Sequence, residues 1–564
     1  MLGERRVGAA TVDATADAAK GAPAGGGLRS PAALRGPLRS LLRRLAPPGS
    51  AWRDPVAWTV AATVFGAYFV ISLYRLLQLS PASYDLGIYV EYVKQLSQLH
   101  APVVDVLGPG FNLLGNHFQV AVALIAPFFR LFPSPATLLF FQALCAAVSV
   151  FPVVTAASAL TGRSCGRLIG FAYGFSWGLQ QMIDFDFHEI ALAVPLIAFS
   201  VSALARRRPV AAVAWAVPLV FVEESQGFTV AAIGLVLGAT MVFRPVLPSL
   251  GWGNTRFAPW GGLFLVTWGL FWSSVAIIVI IPHFNPLHEY YFWKDGGAVG
   301  GSQSFSVGAL LSQAGSGWPT KAQTLALLLL PTAFAAVGSP VALIAVPSLA
   351  LRFVSTNTAF WGTSWHYNAT VMPILFIAAA DGIARWQPAP ALARHASNGV
   401  ALPWPGALSW PGAPPVRDAV ARLAAGLRRL ARPVQAGIAR HGGPMMALAA
   451  VVLAVQFPLS NLWHASTYRL GAHVSAANAA MATVPDGATV QTTLDLLAPL
   501  AARTDTFWIG TAGNPLTQYV VFDGADSGYT PAVTDVPAFI RQLYPGDGYV
   551  QVFDRDDVYV FRRG

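Results

Sequence analysis

Apolar residues along this chain gather in long uninterrupted blocks, residues 58–79, 261–282 and 445–463 among them. Each is near the ~20 residues with which an α-helix crosses a bilayer. Extended along the chain, the pattern predicts spans at 56–79, 135–160, 168–184, 188–205, 209–222, 227–243, 261–282, 321–338, 340–353, 368–384 and 444–463. That is a polytopic α-helical membrane protein of about eleven transmembrane helices.

Arginines mark the loops between these blocks, and basic loops stay in the cytoplasm. Arg163 with Arg167, Arg206 to Arg208, Arg244 with Arg256, and the run from Arg385 onward are the markers. Residues 1–55 form a basic, Ala/Gly/Pro-rich tail without the apolar core of a signal peptide, expected to be disordered and cytoplasmic. The first span then runs outward, and an odd number of crossings places the segment from His464 on the extracytoplasmic face. Between the first span and Arg163 only one crossing satisfies the charge rule, although two apolar stretches are present. The shorter, 118–132, is therefore expected to be interfacial or re-entrant within an external loop covering 80–134. Residues 386–443, rich in Pro and Arg, are expected to lie as a cytoplasmic loop on anionic lipid, with arginines spaced as on a basic amphipathic helix.

After residue 464 the period changes. ATVQTT, TFWI, QYVVFD, YVQVFD and VYVFRR are short β-branched or aromatic runs, with helical patterns at 494–503 and 536–544 between them. The DRDD sequence suits a hairpin turn, so 464–564 is predicted to be a small extracytoplasmic α/β domain.

Composition agrees and narrows the class. Of 564 residues 55% are hydrophobic and 11% charged, against about 25% charged in a soluble domain. The net charge of +10 sits in the loops and is topological; no nucleic-acid partner is implied. Only Lys20, Lys94, Lys294 and Lys321 stand among 36 basic residues, an arginine bias typical of a G+C-rich genome, such as an actinobacterial one. Two cysteines, Cys145 in an apolar block and Cys165 in a basic loop, provide no disulfide framework.

Ionisable groups are costly near a bilayer, and here they collect on the external side, which makes them a candidate site. Asp85, in SYDLGIY just past the first span, could accept a proton from a hydroxyl or hold a divalent cation; its alternative is an N-cap for the helix that follows. His117, in GNHFQ, suits a phosphate or carboxylate, or a plain interfacial position. DFDFHE supplies Asp184, Asp186, His188 and Glu189, and a β-like alternation would put the first three on one face as metal ligands or helix caps. Asp85, Asp184, Asp186 and His188 are accordingly the candidates for a divalent cation. Glu223 and Glu224 interrupt about 35 apolar residues, so two half-spans meeting at VEESQG would aim them into a shared cavity; a buried salt-bridge pair is the alternative. WHY, at 365–367, could stack on a sugar or bind phosphate through His366 and Tyr367, whereas Trp365 suits an aromatic belt.

DLGIY after the first span, NHFQVAVALIAPFFRLFPSPATLLFFQAL, DFHE, VEESQG and WHYNATVMPILF together resemble the bacterial polytopic family called domain of unknown function 2079. That family is similar to the GT-C superfamily of membrane glycosyltransferases, which use polyprenyl-phosphate sugars outside the membrane. The resemblance covers residues 56–385, and more faintly the C-terminal domain with its VPDGATV opening. It implies a GT-C-like transmembrane domain, a multi-pass place in the bacterial plasma membrane, a polyprenyl-phosphate sugar as donor and an envelope glycan or protein as acceptor. GT-C enzymes use an acidic residue of the first external loop in catalysis, and Asp85 is the matching position. Where relatives have a Lys-Glu-Asp-like run this chain has VEES, so phosphate binding would fall to His117, His188 or His366.

Three readings follow. The first is an inverting glycosyltransferase with Asp85 as base. The second is a transporter or flippase of lipid-linked precursors, which needs ionisable groups at the midplane and an inverted repeat. The third is a non-catalytic envelope assembly protein whose C-terminal domain binds a partner.

Overall fold

The computed structural model describes residues 51–242, 257–290, 307–387, 414–525, 528 and 532–564. Most of the N-terminal tail, the Arg244 and Arg256 loop, and residues 388–413 of the Pro/Arg-rich segment lie outside these. Among the described residues five helices are long and apolar enough to cross a membrane: Pro55–Leu77, Pro135–Thr161, Phe257–Phe284, His366–Trp386 and Ala431–Ala454. Shorter apolar helices occupy Val120–Leu131, Ile190–Ala205, Pro209–Phe221, Gln226–Ala239 and Pro340–Phe353.

Departures from the predicted spans have local causes. The stretch expected at 168–184 is two helices, Arg163–Gly174 and Trp177–Asp184. At the break Ser176 is extended, and the Tyr68 hydroxyl donates to the Gly174 carbonyl at 2.7 Å. A carbonyl near the helix end thus finds a partner in buried surroundings. In Phe257–Phe284 the ladder widens to a π-turn at Ala276–Ile280 just before Pro282, whose missing N–H removes the next α-type bond. The last apolar stretch is joined to the Arg-bearing segment by one helix, Pro414–Ala454, and then gives way to a 3₁₀ turn at Pro458–Trp463. The 118–132 stretch is a 3₁₀ turn, Val120–Ile125, running into a short helix, Ala126–Leu131. Twelve residues of helix reach only about 18 Å, short of a ~30 Å hydrocarbon core.

Small residues let two helices flank the Glu223 turn closely. A Cβ on Gly269 would lie 2.2 Å from the Gly227 carbonyl oxygen, so the helices Gln226–Val242 and Phe257–Val275 meet backbone to backbone there.

The C-terminal domain has the predicted strands: β1 Thr489–Thr492, β2 Asp505–Trp508, β3 Tyr519–Asp523, β4 Tyr549–Arg555 and β5 Val558–Arg563. They form one sheet in the order β2-β1-β3-β5-β4, parallel among the first three and antiparallel beyond. Asp556 and Asp557 both have positive φ, 48° and 59°, as a tight two-residue hairpin turn demands. The helices Leu494–Ala501 and Val536–Leu543 lie between strands.

This domain is seated on the helix Asp85–Ser97. Leu497, Ala498 and Ala501 share a buried cluster with Leu86, Val90 and Val93. Leu497 fills the space where Gly87 has no side chain, since a Cβ there would come within 2.8 Å of its Cδ2. The buried Lys94 Nζ donates to the Thr504 carbonyl at 2.6 Å. The element carrying Asp85 is therefore held by the C-terminal domain on one side.

Candidate active site

A cavity of about 480 Å³ opens beside the N-terminus of that helix, with Asp85, His117, His188, Glu189, Glu223, Arg352, His366 and Tyr367 in its wall. Helix Asp85–Ser97 begins at Asp85 itself, and its cap position is Tyr84, which makes no side-chain capping bond. Instead the Ser83 hydroxyl accepts the Asp85 backbone N–H at 3.0 Å. Asp85 is thus not the N-cap, and its carboxylate, hydrogen-bonded by Ser83, lines the cavity. Burial pushes its pKa upward, a shift that His188 opposes and Glu189 reinforces.

The turn into this helix is clamped from behind. The Arg75 guanidinium pairs with Asp184 at 2.9 Å, lies 3.7 Å from Asp186 and donates to the Ser80 carbonyl at 3.0 Å. Asp186 accepts the Ala82 N–H at 2.7 Å. DFDFHE is not the β-like alternation expected: Asp184 ends a helix and Asp186 has φ of +72°. The chain reverses there, so Asp184 and Asp186 face Arg75 while His188 and Glu189 turn toward the cavity. Asp85, Asp184, Asp186 and His188 do not form a metal-ligand group among the described residues.

Two imidazoles meet in the wall. His188 and His366 stack with ring centroids 3.6 Å apart and planes 20° apart. His188 Nδ1 is 2.7 Å from Glu189 Oε2, and the Tyr89 hydroxyl donates to the same carboxylate. Tyr367 borders the stack, its ring centroid 4.2 Å from that of His366.

Glu223 and Glu224 lie in the turn between the helices Pro209–Phe221 and Gln226–Ala239, where the interrupted apolar stretch placed them. Their roles differ. Glu223 lines the cavity, accepting from the Ser225 hydroxyl at 2.6 Å and the Gln226 amide at 3.2 Å. Glu224 is buried behind it, taking His117 Nδ1 at 2.8 Å, the Phe118 N–H at 3.0 Å and the Tyr290 hydroxyl at 2.9 Å. His117, Glu223 and Glu224 offer ligand atoms within 4.8 Å of one another and could hold a metal ion, as could His473, Asp495 and Asp523 in the C-terminal domain. In the first group an ion would displace the proton that now joins His117 to Glu224.

Burial lowers the His117 pKa, but the charge and hydrogen bond of Glu224 outweigh it and push the value up to about 9. The imidazolium form is therefore bound more tightly in the folded than in the unfolded chain. Its stabilisation is complete below the unfolded value near 6.5 and is lost as pH rises through about 9. We expect thermal stability to fall over that window by up to about 3 kcal/mol, and His117→Gln to flatten this limb. A pH series of unfolding curves on both proteins checks it; an unchanged limb in the variant contradicts it.

Arg352 is not among the residues that the sequence singles out, because at the end of an apolar run it has the look of a span boundary. It is 7% exposed and lines the cavity. Its donors go to the carbonyls of Phe360, Gly362 and Tyr367 at 2.9, 3.2 and 3.3 Å and to Asn368 Oδ1 at 2.9 Å. Among the described residues no carboxylate pairs with it. The available signal was a cation inside an apolar block, which is costly unless an anion or a function retains it.

A family model described as Predicted membrane protein (DUF2079) matches residues 75–409, and so excludes the C-terminal domain. No curated protein matches the sequence. Among solved structures the chain is similar to ArnT from Cupriavidus metallidurans bound to undecaprenyl phosphate, with a TM-score of 0.50 and 16% identity, covering 89% of this chain and 97% of that one. The apo state of the same protein gives 0.47 and 15%, covering 89% and 98%. At this identity the likeness is one of fold, and the fold is GT-C-like with a small C-terminal sheet domain.

Proposed function

The chain belongs to the DUF2079 family of predicted membrane proteins, and from that premise we propose that it is an inverting glycosyltransferase using a polyprenyl-phosphate sugar. The observation that carries the reading is one cavity holding a carboxylate not spent on capping, Asp85, together with a buried guanidinium, Arg352, that has no carboxylate partner among the described residues. The donor class is supported by ArnT, a protein of similar fold whose crystal structure contains bound undecaprenyl phosphate.

In the proposed reaction the donor phosphate lies against Arg352, with the sugar toward Asp85. Asp85 takes the proton of an acceptor hydroxyl as that oxygen attacks the anomeric carbon. The bond from that carbon to the phosphate oxygen breaks, and polyprenyl phosphate leaves with the electron pair. Arg352 stabilises the charge developing on the leaving phosphate, with His188 and His366 beside it. Positioning supplies most of the remainder, because two reactants are held in one pocket. The acceptor is an extracytoplasmic envelope glycan or protein. A divalent cation at His117, Glu223 and Glu224 would add positive charge near the phosphate. The transporter reading is favoured by the short helices meeting at Glu223 and Glu224, but His117, Tyr290, Ser225 and Gln226 already engage both carboxylates.

Purified protein in lipid vesicles, offered a panel of labelled polyprenyl-phosphate sugars with envelope extracts, tests this. Release of polyprenyl phosphate with label appearing in an acceptor is expected. Translocation of an intact lipid-linked sugar, with no release, would replace the reading by the transporter one.

The chemistry requires the cavity to face outward. With Cys145 and Cys165 replaced, a membrane-impermeant maleimide should label Ala512→Cys, an exposed position of the C-terminal domain, in intact cells, and not the exposed Ser164→Cys. The opposite pattern would reject the orientation.

A further inference from the structure

We propose that Tyr84 and Trp508 form an acceptor subsite, an aromatic platform built jointly by the membrane domain and the C-terminal domain, on which a hexopyranose ring stacks. This rests on the transferase reading and narrows its acceptor from a glycan or protein to a glycan.

Asp85 sets the geometric requirement. An attacking hydroxyl must come within hydrogen-bond reach of its carboxylate, and the acceptor's bulk must then lie over the cavity rim next to it. The residue beside Asp85 on that rim is Tyr84, which lines the cavity and is 38% exposed. Facing it is Trp508, the last residue of β2, with ring centroids 4.9 Å apart and planes inclined at 37°. The two rings touch at a tilt and are not stacked in parallel. Aromatic faces carry partial negative charge, and the axial C–H bonds of a pyranose carry the complementary sign.

Trp508 is also where the topology of the domain directs a ligand. β1, β2 and β3 run parallel, and parallel sheets bind ligands outside their carboxyl ends. Trp508 closes the carboxyl end of β2, and that end meets the helix bearing Asp85. Trp508 is half-buried and packs against two buried apolar clusters, and its main chain is anchored. Asn514 Nδ2 donates to the Trp508 carbonyl at 2.8 Å and to Gln491 Oε1 at 3.0 Å, and the Tyr544 hydroxyl donates to the same Gln491 oxygen at 2.7 Å. Leu497 against Gly87, and Lys94 on the Thr504 carbonyl, fix the spacing from Trp508 to Asp85. A platform at fixed distance from a base is what selects which hydroxyl of a bound sugar is presented.

The experiment uses the full chain in lipid nanodiscs, with methyl β-D-glucopyranoside, methyl β-D-galactopyranoside and methyl α-D-mannopyranoside as probes in saturation-transfer NMR. Undecaprenyl phosphate binding and thermal unfolding are measured on the same samples. We expect at least one glycoside to receive saturation through its C–H face from wild type. Its binding should weaken at least tenfold in Trp508→Ala and return in Trp508→Phe, while lipid binding is unchanged. Wild type that binds none of the three, or Trp508→Ala that binds as well as wild type, overturns the subsite and leaves the ring pair as junction packing. Loss of glycoside binding in Tyr84→Ala but not in Trp508→Ala overturns the joint platform as well. Glycoside binding through Trp508 in a protein that binds no undecaprenyl phosphate would uphold the subsite while removing the donor reading, so the two can fail separately.

Discussion

Asp85→Asn is expected to cut sugar transfer by orders of magnitude and to leave a folded protein. Asparagine keeps the shape of the side chain and removes its basicity, and general-base catalysis contributes on the order of 10²–10⁴-fold. The substitution would be uninformative if Asp85 capped its helix, because Asn and Asp cap about equally. The cap position is Tyr84, and Ser83 takes the Asp85 N–H, so no cap is being exchanged. The remaining structural cost is loss of a negative charge at a helix N-terminus, about 0.3–1 kcal/mol. Burial raises the Asp85 pKa, so wild-type transfer should decline as pH falls through that raised value and the carboxyl takes up its proton. Residual transfer in Asp85→Asn should lack this limb. Transfer rates against pH, with unfolding curves for both proteins, check it; wild-type rates in a stable variant would remove Asp85 from the chemistry.

Arg352→Met is expected to have the second large effect, falling on structure and donor binding together. The guanidinium donates to three carbonyls and one side-chain oxygen of the segment 360–368, which carries His366 and Tyr367. Removing it orphans one buried acceptor and three half-buried ones, at about 1–3 kcal/mol for each that water does not reach, so a loss of stability is expected. The proposed bond to phosphate would add about 1.5–3 kcal/mol, or roughly 10- to 100-fold in donor affinity. Arg352→Lys separates the two. Lysine keeps the charge but cannot reproduce the planar fork, so it should regain part of the phosphate affinity and little of the stability. Donor affinity and unfolding midpoints measured on both variants decide this; donor binding by folded Arg352→Met at wild-type strength would contradict the role.

Much of the architecture was legible because it depends on runs of hydropathy and on short periods. The first span, the long helix from Pro135 and all five strands of the C-terminal domain follow from such runs. Helix breaks were not legible where tertiary partners sustain them, as at Gly174, whose carbonyl depends on Tyr68 over a hundred residues away. In the site, position after a span drew attention to Asp85, and an over-long apolar stretch to Glu223 and Glu224. DFDFHE misled because a single positive φ at Asp186 reverses the chain, and period-two reasoning has no access to that. Arg352 was missed because a charge at the end of an apolar block looks like a boundary. Only the fold reveals that its partners are carbonyls and an amide oxygen inside the protein, with no carboxylate among them in the described residues.

The proposed transfer requires that this cavity receive a polyprenyl phosphate with its phosphate on Arg352 and its headgroup side toward Asp85. A structure of wild type determined in lipid nanodiscs with saturating undecaprenyl phosphate tests that most directly. The phosphate is expected within about 3 Å of the Arg352 guanidinium, with space for a sugar between it and the Asp85 carboxylate. A lipid whose phosphate sits outside the cavity, or a cavity that stays empty at saturation, would contradict it.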